Sequence, residues 1–174
     1  GGCNTAMGYR SLASNTTASF NTGFGMDTLT ANTTGTRNVA VGYTSLLANT
    51  TATDQVAIGH QALDTATTGS ENTGVGKSAL ATSTTGATNV AVGAYALCKL
   101  TTSCCNVAVG YQAGMCNTTG CRNTYIGYQA GYLATTPEGN TFVGRHAGCN
   151  AGTGNSNHAF GISAGIDAVK NITG

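Results

Sequence analysis

The sequence predicts an all-β protein, a parallel β-solenoid of ten coils. Three observations carry that expectation: a period of 17 residues with no insertion or deletion, strand-forming residues alternating with small ones in every period, and an Asn-Thr-Gly turn between them. A short fixed period is the mark of stacked coils, each of which buries its inner face only against its neighbours.

Glycine sets the period, at Gly8, Gly25, Gly42, Gly59, Gly76, Gly93, Gly110, Gly127, Gly144 and Gly161. Four residues before each stands Asn4, Asn21, Asn38, Gln55, Asn72, Asn89, Asn106, Asn123, Asn140 or Asn157. One residue before each is an apolar side chain: Met7, Phe24, Val41, Ile58, Val75, Val92, Val109, Ile126, Val143 or Phe160. In chain order the strand cores run 4–7, 21–24, 38–41, 55–58, 72–75, 89–92, 106–109, 123–126, 140–143 and 157–160, each reading Asn, Thr or Val, small, apolar; Gln55 and His158 are the main departures. Period-2 alternation of Val, Ile and Thr favours strands, here of four to five residues, and 17 residues cannot hold two helices and a turn. Three residues after the glycine comes a small side chain, Ser11, Thr28 or Ser45 and then Ala62 to Ala164; a Leu follows it in the first six repeats and Gly from Gly114 onward. Turns such as Asn32-Thr33-Thr34-Gly35 and Asn117-Thr118-Thr119-Gly120 close each coil with residues suited to turns.

Strict spacing is what stacking demands, because one added residue would move every later side chain out of its column. With a strand spacing of about 4.8 Å, ten coils make a rod about 48 Å long. The Asn column then reads as a structural ladder in which each amide hydrogen-bonds the next. A coil this small encloses three or four inward side chains, so a single stack is expected to need company. The column two after the Asn is Ala or Gly except at Tyr125 and Phe142, a flat face able to line a narrow interior or to meet another chain.

Composition narrows the function. Seven Lys and Arg against six Asp and Glu leave a net charge of +1, with no basic stripe for nucleic acid. No apolar run approaches the 18 to 20 residues of a membrane-spanning helix. Disorder fits poorly, since 40% of the residues are hydrophobic and recur in register. The chain opens on Gly1 with no basic-then-apolar start, so a processed product or a fragment of a longer protein is expected.

Candidate chemistry is sparse. Asp54 and Glu71 stack about 5 Å apart, the separation of a retaining glycosidase, but Arg37 shares their column, and a surface charge ladder is the simpler reading. His60, His146 and His158 sit in different columns on distant coils, so no metal site, cofactor site or Ser-His-Asp relay is expected. Seven cysteines lack zinc spacing; Cys104 and Cys121 are one period apart, and Cys98 and Cys116 lie on adjacent coils one column apart, so both are candidate disulfides. Disulfides would favour an extracellular setting. Asn15, Asn32, Asn49, Asn117 and Asn171 begin Asn-x-Thr sequons, turn residues that would carry sugars along one edge of the rod in a glycosylating host. Tyr9, Tyr43, Tyr111 and Tyr128 share the column after the glycine, either a packing stripe between chains or a glycan-stacking surface. The Thr-Thr columns raise ice binding as an alternative function, although adjacent residues of an extended chain face opposite ways.

The repeats Asn38-Val39-Ala40-Val41-Gly42-Tyr43 and Asn106-Val107-Ala108-Val109-Gly110-Tyr111-Gln112-Ala113 resemble the head repeats of trimeric autotransporter adhesins. They are closer still to the Asn-Thr-Ala-x-Gly-Tyr-x-Ala-Leu arrays of phage tail fibres and related bacterial surface fibres. The resemblance covers residues 4 to 165 and implies a left-handed parallel β-roll, three chains packed into a needle, and display to a cell-surface glycan or receptor on a cell or virion. The period of 17 is longer than the usual adhesin coil. The repeat pattern drifts after Gly165, so 1–165 is read as solenoid and 166–174 as a divergent tail. With neither end capped, a longer parent chain or head-to-tail stacking into a filament is expected. The expectation is a non-enzymatic shaft.

Overall fold

The structure, a computed structural model, describes residues 1–165; the tail 166–174 and the sequon at Asn171 lie outside the described residues. It is all-β. Ten strands, β1 (Thr5–Met7), β2 (Thr22–Phe24), β3 (Val39–Val41), β4 (Val56–Ile58), β5 (Thr73–Val75), β6 (Val90–Val92), β7 (Val107–Val109), β8 (Thr124–Ile126), β9 (Thr141–Val143) and β10 (His158–Phe160), form one parallel sheet in chain order. The register advances by one period per strand, pairing Val39 with Val56 and Val56 with Thr73. Backbone bonds continue around the rest of each coil, from Leu29 N–H to Ser45 O (3.2 Å) and from Arg37 N–H to Ser19 O (3.2 Å). The chain is therefore a β-solenoid.

The strands span three residues, shorter than the expected four to five. Two backbone features end them. The residue before the Asn column has positive φ in every coil, including Phe20 (63°), Arg37 (58°) and Glu71 (62°). At the other end the glycine column holds φ between 114° and 135°, a region that favours glycine. Left-handed backbone also recurs at Arg10, Asp27 and Tyr95 and at the six core leucines, where φ is 46° to 55°. Such residues carry no turn signal in sequence; stacking imposes the conformation, at about 1–2 kcal/mol each.

The interior holds more than the three or four side chains expected. In the fourth coil Gln55, Ala57, Ala62, Leu63, Ala66 and Gly69 are all buried. The Ala/Gly column faces this interior, with Ala40, Ala57, Ala91 and Ala108 fully buried, so it does not meet another chain. Leu29, Leu46, Leu63, Leu80 and Leu97 form the central spine, each contributing about 1.5–3 kcal/mol by burial.

The Leu-to-Gly switch at Gly114 has a packing cause. Where the spine loses its leucine, the facing Ala/Gly column gains Tyr125 and Phe142, both buried, with ring centroids 5.9 Å apart. A Cβ placed on Gly114 would lie 2.5 Å from the Tyr125 ring, and one on Gly148 would lie 2.4 Å from Phe142. The two columns exchange volume across the coil. Tyr125 brings a buried hydroxyl with no hydrogen-bond partner, and burial pushes its pKa far up. Tyr125→Phe is expected to stabilise the chain by about 1 kcal/mol, because it removes an unpaired polar group from the core; a denaturant midpoint that falls instead would show the hydroxyl to be satisfied.

Candidate functional site

Outside the strands, each coil presents an apolar surface. Side chains one and three before the glycine point away from the Ala/Gly interior, alternating as strand geometry requires. Met7, Phe24, Ile58, Val109, Ile126 and Phe160 are exposed, and Val41, Val75, Val92 and Val143 are half-buried. The result is an apolar strip running the full length of the sheet, one side chain wide where Thr or His158 holds the column three before the glycine and two wide where Val does. Monomeric proteins seldom expose apolar patches beyond a few hundred Å². Sequence inspection found this column of apolar residues without assigning it a face; the alternation about the buried Ala was the available signal.

Two exposed columns border the strip. The leading rim, just before the Asn column, carries Phe20, Arg37, Asp54, Glu71, Thr88, Cys105 and Arg122; the trailing rim, just after the glycine, carries Tyr9, Met26, Tyr43, His60, Lys77, Tyr111, Tyr128 and Arg145. On the leading rim Arg37 donates two hydrogen bonds to Asp54, at 2.6 and 2.9 Å. That bond holds the Asp54 carboxyl below its ordinary pKa, the opposite of what a glycosidase general acid needs. The expected three-member ladder stops there: among the described residues Glu71 has no ion pair. Further along, Arg122 pairs with Glu138, and Arg10 pairs with Asp27 at 3.5 Å.

On the trailing rim the rings stack on one another. Tyr43 lies on His60 and Tyr111 on Tyr128, each with centroids 5.4 Å apart and nearly parallel planes. Tyr95 meets Tyr111 edge-on at 6.3 Å, His146 covers the far side of Tyr128 at 5.4 Å, and the Lys77 ammonium sits 5.4 Å from the Tyr95 ring. Faces occupied by neighbouring rings are closed to sugar stacking. Tyr95, one column beyond the stripe, was not among the residues singled out in sequence.

Asn and Thr side chains form the internal ladders. Each Asn-column oxygen accepts the backbone N–H of its successor, as from Asn21 to Asn4 (2.9 Å), Asn72 to Gln55 (3.1 Å) and Asn157 to Asn140 (2.6 Å). Its nitrogen donates across the coil, as from Asn38 to Ala52 O (2.9 Å) and Asn89 to Ser103 O (2.9 Å). Direct amide-to-amide bonds, the expected form of the ladder, occur at Asn89–Asn72, Asn106–Asn89 and Asn123–Asn106, at 3.0 to 3.2 Å. The first Thr of each pair donates its hydroxyl to the carbonyl of the Thr one coil on, from Thr16–Thr33 to Thr118–Thr135. The second Thr, from Thr17 to Thr153, is exposed in every coil.

Two expectations are corrected. Asn32, Asn49 and Asn117 are fully buried and bonded to the coil carbonyls of Gly35, Ala52 and Gly120, so these sequons offer no amide for a sugar in the folded chain. All seven cysteines are free thiols. Neither Cys104 and Cys121 nor Cys98 and Cys116 are bridged. Burial pushes the Cys98 thiol pKa up, whereas hydrogen bonds from Thr88 and Cys104 lower that of Cys105.

No hydrogen bond joins a histidine to a carboxylate, and no group of three or more His, Cys, Asp or Glu side chains gathers as a metal site, among the described residues. Burial raises the Asp64 pKa, and the charge of His60 partly offsets it. No helix of the described residues is long and apolar enough to cross a membrane.

The fold defines the class: a repeat protein of the β-solenoid type with one apolar sheet face. Comparisons with protein-family models, with curated proteins and with solved structures return no match.

Proposed function

We propose that the chain is a non-enzymatic structural segment of an extracellular fibre, an adhesin or tail-fibre shaft on a cell or virion, built from copies of itself packed side by side. The observation that carries this reading is the apolar strip along all ten strands, flanked by self-stacked aromatic rings. At about 48 Å by about 10 Å, the width of three-residue strands, the strip itself covers about 480 Å², and the two exposed rims bring the face toward the ~800 Å² per partner of a stable interface. Self-complementary lengthwise packing also suits a mechanical role, since each coil already satisfies its backbone through its neighbours. Stacking of coils end to end would be a further route to longer filaments.

Electron microscopy and solution mass, each with and without reductant, test the proposal. Uniform rods about 5 nm long with a mass of two or three 17.3 kDa chains are expected, and a dispersed monomer at all concentrations would overturn lateral packing. Long filaments with a subunit repeat of about 48 Å would make end-to-end assembly the function.

Ice binding is a second reading, favoured by the unbroken file of exposed Thr from Thr17 to Thr153. A two-dimensional hydroxyl array forms over the first coils, where Ser19, Thr36, Thr53 and Ser70 accompany it two residues on; Ala87, Cys104, Cys121 and Glu138 then replace them. Thermal hysteresis that is lost on Thr51→Tyr would favour this reading over the fibre.

A further inference from the structure

Identical stacked coils pose a problem for lateral packing. An apolar strip that repeats every coil can slide by one coil, about 4.8 Å, with little loss of contact, and it can pack in either direction. Something must select one alignment. The two rims carry the asymmetry to do so.

At two central coils the leading and trailing rims carry complementary charge. Glu71 and Lys77 belong to one coil, Asp54 and His60 to the one before it, and in both the acid stands on the leading rim and the base on the trailing rim. Where the leading rim carries Arg37 and Arg122, each bound to a carboxylate of its own chain, the trailing rim carries Tyr43 and Tyr128, which oppose no like charge to them. Where it carries Phe20 the partner is Met26. These pairs are not made within the chain: the intrachain ion pairs among the described residues are Arg10–Asp27, Arg37–Asp54 and Arg122–Glu138. Glu71 and Lys77 are both exposed, on opposite borders of the strip.

We infer that the strip docks a second copy of this chain in parallel and in register, with each leading rim against the same coil's trailing rim of the neighbour, and that Glu71 to Lys77 is the central interchain ion pair. A symmetry axis along the rod produces this arrangement, since it leaves the coil number unchanged and brings opposite rims together. Other alignments lose it. Sliding one coil in one direction sets Arg122 against Arg145, Glu71 against Ala94, and Lys77 against Asp54, whose carboxylate Arg37 already holds; sliding the other way sets Lys77 against Thr88. A centred antiparallel pair opposes leading rim to leading rim and sets Arg37 against Arg122. Charge here fixes direction and register, as it does at the flanks of helical bundles, while apolar area supplies the affinity.

The inference rests on lateral self-association, and the test separates the two. Equal amounts of unlabelled and ¹⁵N-labelled full-length chain are mixed under dissociating conditions and reassembled. A carbodiimide then couples carboxylates to amines in contact, and proteolytic peptides are read by mass spectrometry alongside solution mass. An oligomer containing a mixed-isotope Glu71–Lys77 cross-link is expected. A monomer would overturn lateral packing itself; an oligomer whose interchain links join other carboxylates to Lys77, or none to it, would overturn the register while leaving packing intact. Charge reversal gives an independent readout. Lys77→Glu is expected to weaken association about tenfold at low salt, with the effect fading toward high salt, and Glu71→Lys with Lys77→Glu in the same chain to restore it. Weakening by the single variant without rescue by the double would also overturn the pairing.

Discussion

Gly76→Ala is expected to destabilise the solenoid by about 4 kcal/mol, while the same change at Gly161 costs about half as much. Gly76 has φ of +128°, and a Cβ there would lie 2.6 Å from the Gly93 carbonyl carbon and 2.7 Å from its oxygen. Two penalties coincide: backbone strain of about 1–3 kcal/mol and overlap that only displacement of the next coil can relieve, about another 1–3 kcal/mol. Gly161 has φ of +114° but nothing within 4 Å of its added Cβ, so the strain acts there alone. Chemical denaturation of the two variants under one set of conditions measures the difference, and equal losses would mean that coil-to-coil contact is not what the glycine column protects.

Asn89→Leu, nearly isosteric, is expected to cost about 4 kcal/mol. The Asn89 oxygen accepts both the backbone N–H (3.0 Å) and the side-chain nitrogen (3.2 Å) of Asn106, and its nitrogen donates to Ser103 O (2.9 Å) and to Asn72 (3.1 Å). All of these groups are in the interior, and each one stranded costs about 1–3 kcal/mol. Hydrogen exchange offers a local check: the Asn106 amide should lose protection far more than Asn140, two coils away. Uniform loss along the rod would point to global unfolding as the only opening event.

Much of this architecture was legible from the residues. Ten glycines at one spacing, each preceded by Asn and an apolar residue, set the coil count and the strand order, since parallel stacking is the one arrangement that keeps every column intact. The leading and trailing rims were only half legible. Tyr43 and Tyr128 stood out as a column, yet Lys77 and Arg145 in that same column did not, because a side chain that differs from its column reads as noise until the opposite rim is seen to differ with it. The short strands and the left-handed Leu29, Leu46 and Leu63 left no trace in composition, since leucine says nothing of positive φ.

Periodicity by itself determined the solenoid, because a repeat of identical columns has a single low-energy way to satisfy its backbone and stack its amides. Burial was decided only in three dimensions. The sequons at Asn32, Asn49 and Asn117 read as surface turns and fold inward, since a turn's own carbonyls capture their amides. The Ala column, flat enough for either role, lines the interior, and the apolar residues beside it are left outside. Alternation along a strand says that two faces differ; which one closes over the core depends on where the coil bends, and the positive-φ residues at each strand's ends set that bend.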